Sequence, residues 1–84
     1  MGGPITTVKV KFHSDIAPWI RERRWRPSQE TKEHDDGSAT LTFKVAGTWE
    51  IKRWIMSFGS SAKVLEPKEL RKEILEEAMW IWEQ

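Results

Sequence analysis

The tightest constraint on the fold is a pair of chemically specified junctions in the second half of the chain. Trp54-Ile55-Met56-Ser57-Phe58 carries helical apolar spacing and stops at Gly59. Glycine enters the left-handed conformation that ends helices more easily than any other residue. After the short apolar run Ala62-Lys63-Val64-Leu65 comes Glu66-Pro67-Lys68-Glu69-Leu70-Arg71. Proline fits the first position of a new helix, where its missing N–H is not needed. The stretch therefore predicts a helix, a strand over 62–65 and a second helix, with little chain between them.

The first half predicts strands by alternation. From Thr6 to Phe12, Val8, Val10 and Phe12 share one face and Thr7, Lys9 and Lys11 the other, as in a half-buried strand. Ser14 or Asp15 can cap a following helix in which Pro18 sits in the first turn and Ile16, Trp19 and Ile20 form the buried stripe. Pro27 bounds that helix. Residues 28–34 and 38–46 flank Asp35-Asp36-Gly37, which predicts a β-hairpin. Its first strand is polar and suits a sheet edge. Its second strand turns Ala39, Leu41, Phe43 and Val45 one way and Thr40, Thr42 and Lys44 the other. Thr48 caps a helix running through Phe58, with Ile51, Trp54, Ile55 and Phe58 inward. The last helix runs from Pro67 to about Trp82. It has one apolar line of Leu70, Ile74, Ala78 and Ile81 and a neighbouring one of Leu75, Met79 and Trp82.

The predicted fold class is α+β: a ferredoxin-like β-α-β-β-α-β antiparallel sheet with its helices on one face, plus a C-terminal helix. A chain of 84 residues is one domain. Residues 1–4 read as a disordered lead and residues 5–84 as the domain. Six tryptophans and three phenylalanines supply large apolar area in few residues. Cysteine is absent, so disulfide and zinc-thiolate chemistry are excluded and a reducing cytoplasm is expected. No apolar run approaches the roughly 20 residues of a membrane span.

The order and spacing of these motifs resemble the WCX domain, the C-terminal extension of WYL-domain bacterial transcriptional regulators. The resemblance runs from Val8-x-Val10-x-Phe12, through the turn Asp36-Gly37-Ser38, to the tryptophan-containing helix, Gly59 and Val64-Leu65-Glu66-Pro67-x-x-Leu70. In that family the domain follows a winged helix and a WYL domain, neither of which this chain contains, so the chain reads as an excised domain. The resemblance implies the same fold and roles in dimerisation and effector sensing. Its implied partners are the WYL and winged-helix domains of a parent protein and a second copy in a homodimer. Some members of the family take nucleic acid as effector.

Candidate functional residues are few. The basic charge concentrates early: residues 1–65 hold 11 basic and 7 acidic side chains, residues 66–84 hold 3 and 6. Four of the six arginines fall in Arg21-Glu22-Arg23-Arg24-Trp25-Arg26. Arginine's fork suits phosphate, so Arg21, Arg23, Arg24 and Arg26 are candidate polyanion or effector contacts, against the plainer reading of a solvated helix end. Trp80, outside both apolar lines, and Trp82 are candidate contacts for a partner domain or second chain, with core packing the rival reading for Trp82.

No catalytic residues, metal ligands or cofactor are expected. His13 and His34 lack local partners at ligand spacing. An acylphosphatase-like enzyme of this topology needs an arginine in the loop after the first strand and a nearby asparagine. Here that loop is His13-Ser14-Asp15 and the chain has no asparagine. RNA-recognition modules of this topology stack bases on central-strand aromatics. Phe12 and Phe43 lie on the face that must pack under the helices, and the opposite face offers only threonine and lysine. The remaining alternative is an independent small-molecule-binding ferredoxin-like domain.

Overall fold

The alternating run Ile5–Phe12 forms β1 at the centre of a four-stranded antiparallel sheet ordered β2-β3-β1-β4. The computed structural model describes residues 5–23 and 28–83, so the expected lead at 1–4 and the boundary at Pro27 lie outside the described residues. Helix α1 (Ala17–Arg21) follows β1, then β2 (Glu30–Glu33), β3 (Ala39–Ala46), α2 (Trp49–Met56), a 3-10 turn (Gly59–Ser61), β4 (Ala62–Glu66) and α3 (Lys68–Glu83). The chain is α+β, with a helix after the last strand.

β1 pairs with β3 along its whole length, from Ile5 opposite Ala46 to Phe12 opposite Ala39. β2 is an edge strand with all four residues exposed, as its polarity predicts. The hairpin before β3 turns at Gly37, whose φ of 89° is left-handed, and His34 N–H donates to the Ser38 carbonyl at 2.9 Å. β4, the other edge, pairs with β1 through a bulge: Val10 faces Val64, while Lys9 faces Glu66.

One face of the sheet carries the core. Val8, Val10, Phe12, Leu41, Phe43 and Val64 meet Ile20 of α1, Ile51 and Ile55 of α2 and Leu70 of α3. Trp54 packs against this cluster, its ring 5.8 Å from Phe12 and 6.2 Å from Phe43 in edge-on geometry. Such pairs add about 0.5–1.5 kcal/mol beyond area burial.

Several boundaries differ from expectation. Helix α1 is only five residues long. Glu22 is its C-cap, and both described residues that directly follow Arg21 are charged. Neither Ser14 nor Asp15 caps it. The N-cap is Ile16, without a side-chain bond, and the carbonyl of His13 takes the first N–H groups, from Ile16 at 3.0 Å and Ala17 at 2.9 Å. Asp15 instead accepts from the Ser61 hydroxyl at 3.0 Å, tying the loop after β1 to the entry of β4. Trp19 is 41% exposed rather than buried, because Ala17 and Ile20 fill the inward positions of so short a helix.

Helix α2 begins after Thr48, as predicted, but Thr48 makes no side-chain cap bond. The helix stops at Met56 with Ser57 as C-cap. Phe58 still reaches the core from beyond the helix end, its ring 5.3 Å from Phe12. Gly59 is left-handed (φ 58°) two residues past that cap and opens the 3-10 turn. Pro67 stands just before α3 rather than inside it, and its carbonyl accepts the Arg71 N–H at 3.2 Å. Among the described residues no helix is long and apolar enough to cross a membrane.

Candidate functional site

Helix α3 is built from strong helix formers. After Pro67 come lysine, glutamate, leucine, arginine, alanine and methionine with no glycine or further proline. Its first half docks. Leu70 is buried and Ile74 packs against the core, and just past the midpoint Glu77 reaches Lys52 of α2 at 3.3 Å.

The second half does not dock. Leu75 is 60% exposed, Met79 55%, Trp80 70%, Ile81 64% and Trp82 87%. The expected inward line of Leu70, Ile74, Ala78 and Ile81 therefore holds only through Ile74. The helix outruns the surface beneath it, because 16 residues span about 24 Å, whereas the five residues of β4 cover about 17 Å.

Where α3 lifts away it overhangs two open apolar grooves. One, of about 550 Å³, lies against β4 and is lined by Ala62, Val64, Ile74 and Leu75. The other, of about 430 Å³, lies toward the end of α2 and is lined by Met56, Gly59, Ala78 and Ile81. Exposed apolar surface gathered in one place marks interaction sites on soluble proteins, and tryptophan is enriched at interface centres. The structure thus brings Trp80 and Trp82 together with Leu75, Met79 and Ile81 on one exposed helix end.

The arginine segment is only partly in view. Arg21 ends α1 and its guanidinium lies 3.1 Å from the Glu33 carboxylate on β2. Arg23 follows the helix and stacks over the Trp19 ring at 4.7 Å. Arg24 and Arg26 lie outside the described residues. Phe12 and Phe43 are buried under the helices, so neither offers a face to a nucleic-acid base. His13 lies 3.2 Å from Asp15, and His34 Nε2 is 2.7 Å from the Thr40 hydroxyl.

Sequence reasoning missed Trp49. It is 64% exposed at the start of α2, with Lys52 and Arg53 over its ring at 5.1 and 5.3 Å. The available signal was its place outside the Ile51, Trp54, Ile55 stripe.

The model of the WCX domain family matches residues 4–79, nearly the whole chain. The chain belongs to the WCX domain family. No curated protein matches it. WCX domains are associated with WYL-type regulators, and the family is regulatory rather than catalytic in kind. The matched stretch takes in all four strands and the docked half of α3, while Trp80, Ile81 and Trp82 lie beyond it.

Proposed function

We propose that this WCX domain is the non-catalytic regulatory module of a bacterial WYL-type transcriptional regulator. It contributes to dimerisation and effector sensing in the cytoplasm, and another domain of the parent protein supplies DNA binding. The observation that carries the reading is the exposed apolar end of α3 on a domain of this family. A ferredoxin-like reading of the topology is supported by the order β2-β3-β1-β4, with β1 and β3 central and every pair antiparallel.

The occupant that fits this helix end is α3 of a second copy, running antiparallel. Lys68, Arg71 and Lys72 share the first half of α3 with Glu69 and Glu73, while the second half carries Glu76, Glu77 and Glu83 and its last turn has no basic residue. That order opposes the helix dipole, which favours cations at the C-terminal end. An antiparallel neighbour lays the first half, with three basic and two acidic residues, against the second half, with three acidic and no basic ones, while covering Leu75, Met79 and Trp82. The effector contacts in this reading are Arg21, Arg23, Arg24 and Arg26, on the opposite side of the sequence from the dimer helix.

Sedimentation of the 84-residue chain tests the reading. A monomer–dimer equilibrium is expected, and Met79→Glu with Trp82→Glu should make the chain monomeric without changing its fold. A chain that is monomeric at millimolar concentration would overturn the α3 assignment. Gel-shift assays should show no preference for any duplex sequence, since the helices pack on a sheet and none is free to serve as a recognition helix. Sub-micromolar binding to one duplex over scrambled controls would contradict that division of labour.

A further inference from the structure

The sheet face opposite the helices carries two neighbouring cross-strand rows of opposite character. One reads Glu30, Thr42, Lys9, Glu66 from β2 to β4. It mixes signs, with two glutamates and one lysine, and Lys9 meets Glu66 at 3.8 Å. The next reads Lys32, Thr40, Lys11, Lys63. Here Lys11 and Lys63 are direct register partners on adjacent strands. Like charges directly opposite destabilise a sheet. Among the described residues none of Lys11, Lys32 and Lys63 forms an ion pair.

At the end of that row the surface dips into a cleft of about 420 Å³, lined by Lys11 and Lys63 together with His13, Ser14, Ser60 and Ser61. Two carboxylates lie near it, and both accept hydrogen bonds from serine hydroxyls. Asp36, which lines the cleft, accepts the Ser38 N–H at 3.0 Å and the Ser38 hydroxyl at 2.6 Å. These bonds hold its carboxyl below the usual carboxylate range. Asp15 takes the Ser61 hydroxyl at 3.0 Å and faces His13 at 3.2 Å. The charge of Lys11 also helps to hold the Asp36 carboxyl low, and Lys63 faces the cleft without an ion pair among the described residues.

We propose that this cleft binds a single phosphate group, seated between the ammonium groups of Lys11 and Lys63 within reach of the Ser60 hydroxyl. An anion there converts a repulsive cross-strand pair into a bridged one. Serine and lysine suit phosphate oxygens, and His13 is the one aromatic ring among the described residues that line the cleft. The cleft borders the α3 grooves, which Lys63 and Ser60 also line, but it uses none of the exposed apolar side chains of α3.

Backbone amide shifts of the 84-residue chain test it in low salt. The probes are inorganic phosphate and a short thymidine oligonucleotide with and without a 5′-phosphate. Shifts centred on Lys11, Ser60, Ser61 and Lys63 are expected. Their appearance with inorganic phosphate would identify free phosphate as a source, and dependence on the 5′-phosphate would identify a terminal phosphate. Lys63→Gln should weaken binding about tenfold, the worth of one charge-assisted hydrogen bond. Lys44→Gln, at the other end of the same face, should leave it unchanged. Lys63→Gln should also keep or raise the thermal midpoint, because it relieves the repulsion, so lost binding cannot be lost folding. Three results would overturn the proposal: no shifts at low salt, equal shifts with both oligonucleotides and none with inorganic phosphate, or equal losses from Lys63→Gln and Lys44→Gln.

Discussion

The two halves of α3 are made of the same kinds of side chain and meet opposite surroundings. From Lys68 to Ile74 the helix lies on the domain and buries Leu70. From Leu75 to Glu83 it carries more apolar bulk and buries no residue fully. The difference is one of available surface rather than composition. β4 and α2 end before the helix does, so among the described residues Leu75, Met79, Trp80 and Trp82 stay exposed and Ile81 lines an open groove instead of a core. An amphipathic helix states how much it can bury, and the neighbouring elements decide how much it does.

That contrast predicts a steep change in mutational cost along one helix. Leu70→Ala should cost about 3 kcal/mol, the usual range for a buried leucine. Trp82→Ala, a larger truncation, should change monomer stability by less than about 0.5 kcal/mol, as at other surface positions. Urea midpoints of the dilute chain would check both. A destabilising Trp82→Ala would mean that the outer half is docked after all.

Gly59 governs how the docked half is presented, since its turn leads directly into β4. A Cβ built there meets nothing within 4 Å, so a substitution is penalised by the left-handed backbone alone. Gly59→Ala should cost about 1 kcal/mol, and Gly59→Val more. A Gly59→Val variant as stable as the parent chain would show that the turn relaxes freely.

The seam between the halves is the Lys52–Glu77 pair. Glu77→Gln should cost about 0.5 kcal/mol, because Glu77 is 44% exposed and water screens the attraction. Amide exchange should then quicken in the outer turns of α3 and stay unchanged at Leu70. Uniform quickening along the helix would mean that the two halves open as one unit.

Much of this architecture could be read from residue order. The alternation of Val8, Val10 and Phe12 and of Leu41 and Phe43 named the two central strands and their buried face. Asp36-Gly37 marked the hairpin, and Gly59 the left-handed turn. The positions that escaped share a cause. Trp19 and Ile81 have the right spacing for burial, but periodicity reports the shape of a helix and not the extent of what lies beneath it. α1 ends at Arg21 with the charged Glu22 and Arg23 next, and a helix-compatible stretch of Glu and Arg does not advertise a helix end. The tryptophans of α3 were legible as interface candidates because they overfilled the apolar face. The lysine row was not, since Lys32, Lys11 and Lys63 come from three separate strands and meet only through register.

Association measured against concentration bears most directly on the central claim that the outer half of α3 is an unfilled interface. Sedimentation equilibrium of the chain and of Met79→Glu/Trp82→Glu would be compared, with tryptophan fluorescence followed on dilution. The account predicts a reversible dimer for the parent chain, a blue-shifted emission that moves to the red as the dimer dissociates, and a folded monomer for the double variant at every concentration. A double variant that associates as tightly as the parent chain would contradict it.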